Sequence, residues 1–226
     1  MWSPEHVVPW DDLPDMARVL AVGVDYGTTN ASAAVMLREG VDRRLYLLDE
    51  WRHDPAHAQH RLTDAQLSAR LRAWLDAEHH PRQQGLRPQW IVADPAAASF
   101  RVQLHQDHVV TQAADNDVAY GIRTVASLLG AGRLLVSDRC TGWITEDPGY
   151  SWDDTATERG EDRPVKTADH SLDAGRYAIA TTENLWRPSV PIGRHKFGEA
   201  REVDPLTVDS CARSEEDIAT QPSREP

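Results

Sequence analysis

Three apolar runs joined by very short turns near the N-terminus restrict the fold more than any other feature. VLAVGVDYG occupies positions 19–27, ASAAVMLRE 31–39 and RRLYLLDEWR 43–52. The first is almost continuously apolar, as a strand covered on both faces requires. Gly-Thr-Thr-Asn at 27–30 separates the first two runs, and Gly40 stands between the second and third. Strands joined this closely must lie antiparallel, so the three read as a meander.

Beyond the meander, helix and strand alternate. Thr63 opens a helix that puts Leu67, Leu71, Trp74 and Leu75 on one face, with Gln66 completing a capping box. PQWIVADPAA (88–97) is a short strand that Pro95 forces to stop at Asp94. AAASFRVQLHQ is helical and HVVTQA (108–113) extended. Asn116 caps a helix carrying Val118, Ile122, Val125, Leu128 and Leu129, which Gly130 and Gly132 close. RLLVSD (133–138) is a further strand, residues 140–164 are irregular, and DHSLDAGRYAIATTENLW (169–186) is helical by period. The order βββαβαβα is that of an α/β, ribonuclease H-like fold: a mixed sheet of five or more strands flanked by helices. Residues 1–17, with Pro4, Pro9 and Pro14, read as a linker or arm. Residues 18–186 form the folded domain, and 187–226 a disordered acidic tail.

At 226 residues the chain can bury one good core, and 40% hydrophobic with 27% charged residues is ordinary for a soluble protein. No apolar run approaches a membrane span, and the first residues lack a signal-peptide pattern. Two dispersed cysteines, Cys140 and Cys211, exclude a disulfide framework or a thiolate metal site and fit a reducing compartment. The net charge of -12 argues against gripping nucleic acid by bulk positive field. Much of it, however, sits in the tail, where residues from Glu199 onward contribute -5. Carboxylates gathered to bind metal also count as negative until the metal arrives.

Three carboxylates stand where such a fold would bring them together. Asp25 ends the first strand, Asp94 ends the fourth, and Asp173 lies in the last helix. Asp169 and Asp173 are spaced i, i+4 and share a helix face that His170 flanks. Like charges this close repel unless a cation intervenes, and an oxygen-rich set suits Mg²⁺ or Mn²⁺. Two such ions clamp the attacking and leaving oxygens of an in-line phosphoryl displacement. Each residue also has a plainer reading. Asp25 and Asp94 are turn formers, Asp169 is an N-cap and His170 a surface histidine, whereas Asp173 sits between Leu172 and Ala174 on an otherwise apolar side. In sequence order the set is far more specific than its members.

These residues resemble the C-terminal nuclease domain of the large terminase subunits of tailed phages. VGVDYGTTN, WIVADPAA and KTADHSLDAGRYA carry the resemblance, which spans roughly residues 18–186 and includes YGIRTVASLLGAGRLLV and YSWDD. It implies Asp25, Asp94 and Asp173 as metal-binding, catalytic aspartates and His170 as an auxiliary ligand or proton carrier, with Asp169 as an acidic neighbour. Lys166 would meet a phosphate, and Arg123, Arg133, Arg139 and Arg159 are candidate DNA contacts. The implied cofactors are two Mg²⁺ or Mn²⁺ ions. The implied partners are double-stranded DNA, a terminase ATPase domain or subunit, the small subunit and the portal, in the host cytoplasm and without a membrane. Gly175 departs from the leucine usual in the Asp-Ala-Leu-Arg-Tyr pattern, at some cost in helix stability. No G-x-x-x-x-G-K-[ST] motif is present, so the chain cannot translocate DNA alone.

The first hairpin alone also fits the phosphate turn of sugar kinases, actin and chaperone ATPases. That reading needs a duplicated fold, a second phosphate loop and a Gly-Gly motif, and the sequence has no Gly-Gly pair. A Holliday-junction resolvase or a folded binding module with a relic site are further alternatives. His53, His57 and His60 fall in a loop without metal geometry. Trp143, Tyr150 and Trp152 are either packing residues or stacking platforms for a displaced base.

Overall fold

The computed structural model describes residues 2–27, 30–55, 61–85, 87–146, 169–190 and 192. Two units divide the chain, Met1–Ile192 and Gly193–Pro226, and the second lies outside the described residues, as do Thr28, Thr29, His57, His60, Tyr150, Trp152, Arg159 and Lys166. The first unit is built on a seven-stranded mixed sheet in the order β1-β7-β4-β3-β2-β5-β6. The strands are β1 (Val7–Val8), β2 (Met16–Asp25), β3 (Ser32–Gly40), β4 (Leu45–His53), β5 (Trp90–Ala93), β6 (Gln112–Ala113) and β7 (Leu134–Ser137). The helices are α1 (Asp64–Leu75), α2 (Ala98–Gln106), α3 (Val118–Gly130), α4 (Thr141–Glu146), α5 (His170–Thr181) and α6 (Glu183–Trp186).

The expected meander is present: β2, β3 and β4 pair antiparallel, while β5 and β7 join β2 and β4 in parallel. This is the ribonuclease H-like arrangement. It places the carboxyl ends of β2, β4, β5 and β7 at one rim. Helices α1 and α2 cover one sheet face through Leu67, Leu71, Phe100 and Leu104 against Val22, Val24, Ala34 and Met36. On the other face α3, α4 and α5 pack through Leu128, Trp143, Leu172 and Tyr177 against Leu20, Ala33, Val35 and Leu47. Both faces of β2 and β3 are therefore apolar, which explains why their sequences scarcely alternate.

Gly23 sets how closely α5 approaches. A Cβ at this position would overlap the Ala174 carbonyl oxygen and stand 2.9 Å from the Ala178 nitrogen. The helix backbone therefore lies directly on the strand. Gly175, expected only to weaken the helix, has a packing role: a Cβ there would sit 2.9 Å from Cε3 of Trp143 and closer still to Cζ3.

Several sequence expectations change. Residues 3–15 are an arm docked on the sheet: β1 extends the sheet beside β7, and Leu13 is fully buried. Prolines that read as a linker are compatible with a strand at a sheet edge. Asp117, not Asn116, caps α3, its side chain accepting from the Tyr120 amide at 2.9 Å. Within the expected strand 108–113 only Gln112 and Ala113 pair. A six-residue helix, α4, opens the section expected to be irregular. The Thr63–Gln66 capping box forms as expected.

Candidate active site

Asp25 is the last residue of β2, and Asp94 follows β5 directly. Val24 pairs with Ala93 across the parallel ladder, and the Asp94 amide donates to the Val24 carbonyl at 3.3 Å. The two aspartates are thus next-in-register neighbours at the rim. Pro95 ends the strand, and the Asp94 side chain turns back to accept from the Ala96 amide at 2.8 Å. On the other side of Asp25, Tyr26 stacks on Phe100 with ring centroids 4.9 Å apart and donates its hydroxyl to Asp64. That anchors the turn after Asp25 to α1 and α2.

Helix α5 supplies the rest. His170 Nδ1 meets Asp25 Oδ2 at 2.8 Å. Asp173 Oδ1 accepts from Arg176 Nε at 3.1 Å and Nη2 at 2.8 Å. Gly121 of α3 leaves room for the Arg176 stem. Burial pushes the Asp25 carboxyl up, His170 opposes it, and the negative charges of Asp173 and Asp94 raise it further. The Asp25 carboxylate in turn raises His170, against the opposing effect of burial. Burial, then Asp173, Asp94 and Asp25 in that order, push up the Tyr177 hydroxyl. Asp94 and Asp173 are therefore near enough to Asp25 to act on it by charge.

Asp169 holds the N-cap position of α5, yet its side chain makes no capping hydrogen bond. Glu146 of α4 takes that role, accepting from the Ser171 amide at 2.7 Å and the Leu172 amide at 3.2 Å. Arg52 of β4 pairs with Glu146 and donates to Ser171 Oγ at 2.8 Å. Glu50 accepts from the Gly142 amide at 2.6 Å. Sequence reasoning singled out none of Glu50, Arg52 or Glu146. Their contacts join residues some 25 to 120 positions apart, and only the alternation of β4 toward α4 would have hinted at them.

Other expected residues lie apart from the carboxylates. Arg139 stacks over the Trp10 ring at 3.5 Å, beyond β7 at the far edge, and Arg123 is exposed on α3. Trp143 is 1% exposed and belongs to the core, not to a stacking platform. His53 is buried, and burial pushes its imidazole down.

The carboxylate set suits a divalent cation by its chemistry. Its ligands are hard oxygens, and Asp25 bears an electrostatic strain from Asp173 and Asp94 that a cation would relieve. The preformed convergence expected from the sequence is looser than anticipated: among the described residues, no three His, Cys, Asp or Glu side chains already form a metal cage. In their place His170 hydrogen-bonds Asp25, and Arg176 pairs with Asp173.

A mixed sheet of this order, with acids at the carboxyl rim and a helix laid on its central strand, defines a ribonuclease H-like nuclease fold. No family model matches the sequence, and no curated protein matches it. Among solved structures, the large terminase of a thermophilic bacteriophage is 32% identical, with a TM-score of 0.70 over 82% of this chain and 43% of that one. The P22 large terminase nuclease domain (20% identity, TM-score 0.56, 83% of this chain and 95% of that one) shares the fold. So does the nuclease domain of the SPP1 large terminase with bound Mn (19% identity, TM-score 0.52, 77% and 96%). The chain carries a terminase nuclease-like domain. It spans less than half the length of the thermophilic phage's terminase.

Proposed function

We propose that the chain is the metal-dependent DNA endonuclease domain of a phage packaging terminase, cutting concatemeric duplex DNA with little sequence preference by two-metal hydrolysis. The observation that carries this reading is the geometry at the carboxyl rim: Asp25 and Asp94 stand at adjacent strand ends, and α5, which carries Asp173, hydrogen-bonds Asp25 through His170. Asp25, Asp94 and Asp173 would hold the ions, and Asp169, not engaged as a side-chain cap, would stand in reserve. When bound, Mg²⁺ or Mn²⁺ supplies Lewis-acid chemistry at the phosphodiester. The protein's own part is to orient and to manage protons. Arg176 fixes the Asp173 carboxylate, the docked turn at Tyr26 fixes Asp25, and His170 holds a proton at Nδ1 against Asp25 Oδ2. His170, beside Asp25 at the rim, is placed to take up or hand on a proton there.

In this reading the nuclease domain takes in the docked arm and runs past residue 186, the end expected from the sequence, because Val190 and Ile192 are buried in its core, and an acidic tail follows. The SPP1 relative carries Mn, which favours a divalent cofactor here too. Structures of the thermophilic phage's terminase with ADP and with ATP-gamma-S favour an ATPase domain or subunit as partner. Small subunit, portal and a host-cytoplasmic setting follow from the same kinship, and Lys166, Arg123 and Arg139 are proposed backbone contacts. With a net charge of -12, the domain should bind DNA weakly alone and depend on the motor for targeting. The test is incubation of supercoiled and linear DNA with Mg²⁺, Mn²⁺ or EDTA, beside Asp25→Asn. Nicking and linearisation that need the cation and vanish in the variant are expected. Activity that persists in EDTA or in Asp25→Asn overturns the assignment, and cleavage confined to four-way junctions points to a resolvase instead.

A further inference from the structure

We propose that Glu146, locked by Arg52, is a positioning residue for this site: it caps α5 so that His170 and Asp173 are held opposite Asp25. The inference rests on the nuclease reading above. The first amides of a helix need acceptors, and an N-cap side chain normally provides one. Here the N-cap residue, Asp169, does not. The acceptor comes instead from another helix, Glu146 at the end of α4, whose Oε2 takes both the Ser171 and Leu172 amides. Its Oε1 is pinned by Arg52, which also reaches Ser171 Oγ at 2.8 Å. The Glu146 carboxylate is 5% exposed and Ser171 is fully buried, so water is a poor substitute.

The construction is too specific for generic packing. Gly142 allows α4 to fit: a Cβ there would stand 2.5 Å from Ser171 Oγ and 2.6 Å from Glu50 Oε1. Glu50 then accepts from the Gly142 amide, tying the start of α4 to β4, while Glu146 ties its end to α5. The amides that Glu146 holds belong to the two residues following His170 and immediately preceding Asp173. Loss of the cap frees the first turn of α5, and that turn carries the imidazole hydrogen-bonded to Asp25. Capping from outside also leaves the Asp169 carboxylate uncommitted to the helix, on the face it shares with Asp173.

The test uses the full chain with Glu146→Ala and Glu146→Gln. On each, amide exchange at Ser171 and Leu172, Mn²⁺ affinity by calorimetry and plasmid nicking are measured. Glu146→Ala is expected to lose protection at both amides by about 10-fold or more. Mn²⁺ affinity and kcat should fall by about 10–100-fold, the range found for outer partners of metal ligands, with KM for DNA unchanged. Glu146→Gln keeps an acceptor oxygen and should recover most of the protection and the affinity. Normal exchange in Glu146→Ala overturns the cap. Lost protection with wild-type Mn²⁺ affinity and kcat overturns the positioning role. Should Glu146→Ala not fold, Arg52→Met, which leaves the cap but unlocks it, replaces it: unchanged affinity and kcat there overturn the proposal. A wild-type chain that neither binds Mn²⁺ nor nicks DNA overturns the nuclease reading, and the exchange result separates that failure from a failure of the cap.

Discussion

Two groups of carboxylates lie side by side at the same rim and are treated in opposite ways. Glu50 and Glu146 are met by donors: an arginine and the backbone amides of Gly142, Ser171 and Leu172. Asp25, Asp94 and Asp173 have donors too, His170, the Ala96 amide and Arg176, but like charge from Asp94 and Asp173 also acts on Asp25. The first group comes nearer the usual state of buried acids, held by donors, with Glu146 fully engaged and Glu50 keeping one buried oxygen, Oε1, without a hydrogen-bond partner among the described residues. The second retains mutual repulsion, which a folded protein keeps only where it has a use. Residue type does not separate the two groups, whereas the balance of donors around them does.

The largest effect should come from removing one acid from each group. Asp25→Asn is expected to reduce Mn²⁺-dependent DNA cleavage by more than about 100-fold, beyond what outer partners of a metal site contribute, while thermal stability without metal changes little. Glu50→Gln should do the reverse, lowering stability by about 1–3 kcal/mol in urea unfolding because buried donors lose a charged acceptor. If Asp25→Asn is destabilised as much as Glu50→Gln, the two groups do not differ in the way described.

A steric change should sharpen the same contrast by moving α5 as a whole. Gly23→Ala places a methyl group against the Ala174 carbonyl and the Ala178 nitrogen, both backbone atoms that cannot rotate away. A loss of at least about 1–3 kcal/mol is expected, together with lost cleavage, since Asp173 is lifted from Asp25. A variant of wild-type stability and activity would show that the helix does not rest on the strand.

Gly175→Ala tests the other side of α5 and should act more mildly. Helix propensity alone predicts a gain of about 1 kcal/mol. The methyl group meets the Trp143 ring, which is 1% exposed and has nowhere to go. Overpacking of this kind costs about 1–3 kcal/mol, so a net loss in urea unfolding is expected. A stabilised variant would restore the simpler view that glycine is a mere weakness of the helix.

How much of this was legible depends on where each signal resides. Asp25 and Asp94 announced themselves because apolar runs end at them and Pro95 forbids continuation. The meander was legible because its turns are short. The arm was not: prolines at 4, 9 and 14 look like a linker, and only pairing with β7, over a hundred residues away, makes Val7 and Val8 a strand. Helix α4 has six residues and a glycine second in line, too few for a period to show. Glu146 and Arg52 are 94 residues apart, and no local pattern connects them. Asp169 was read as either cap or ligand, since sequence cannot reveal that another helix has taken over the cap.

The smallest effect concerns pH without metal. Asp25 is raised above its ordinary value, chiefly by burial and then by Asp173 and Asp94 against the pull of His170. A raised carboxyl binds its proton more tightly folded than unfolded. Its contribution is therefore full below about pH 4, where an unfolded aspartate titrates, and is lost as pH rises through the folded value. His170 is raised as well, mainly by Asp25, so its contribution is full below about pH 6.5 and is also lost as pH rises. Both act in the same direction, and the metal-free chain should melt on the order of a few degrees lower at pH 8 than at pH 5.5. Glu50 is raised too, chiefly by burial, so part of this slope belongs to the other group. Asp25→Asn separates the two contributions, because it removes the share of Asp25 and His170 and leaves that of Glu50. Saturating Mn²⁺ should flatten the slope in the wild type, since a cation favours the charged carboxylates, and leave the slope of the variant nearly as it was. Equal slopes for wild type and variant without metal would mean that the rim aspartates are as well satisfied as Glu146, and the contrast between the groups would fail.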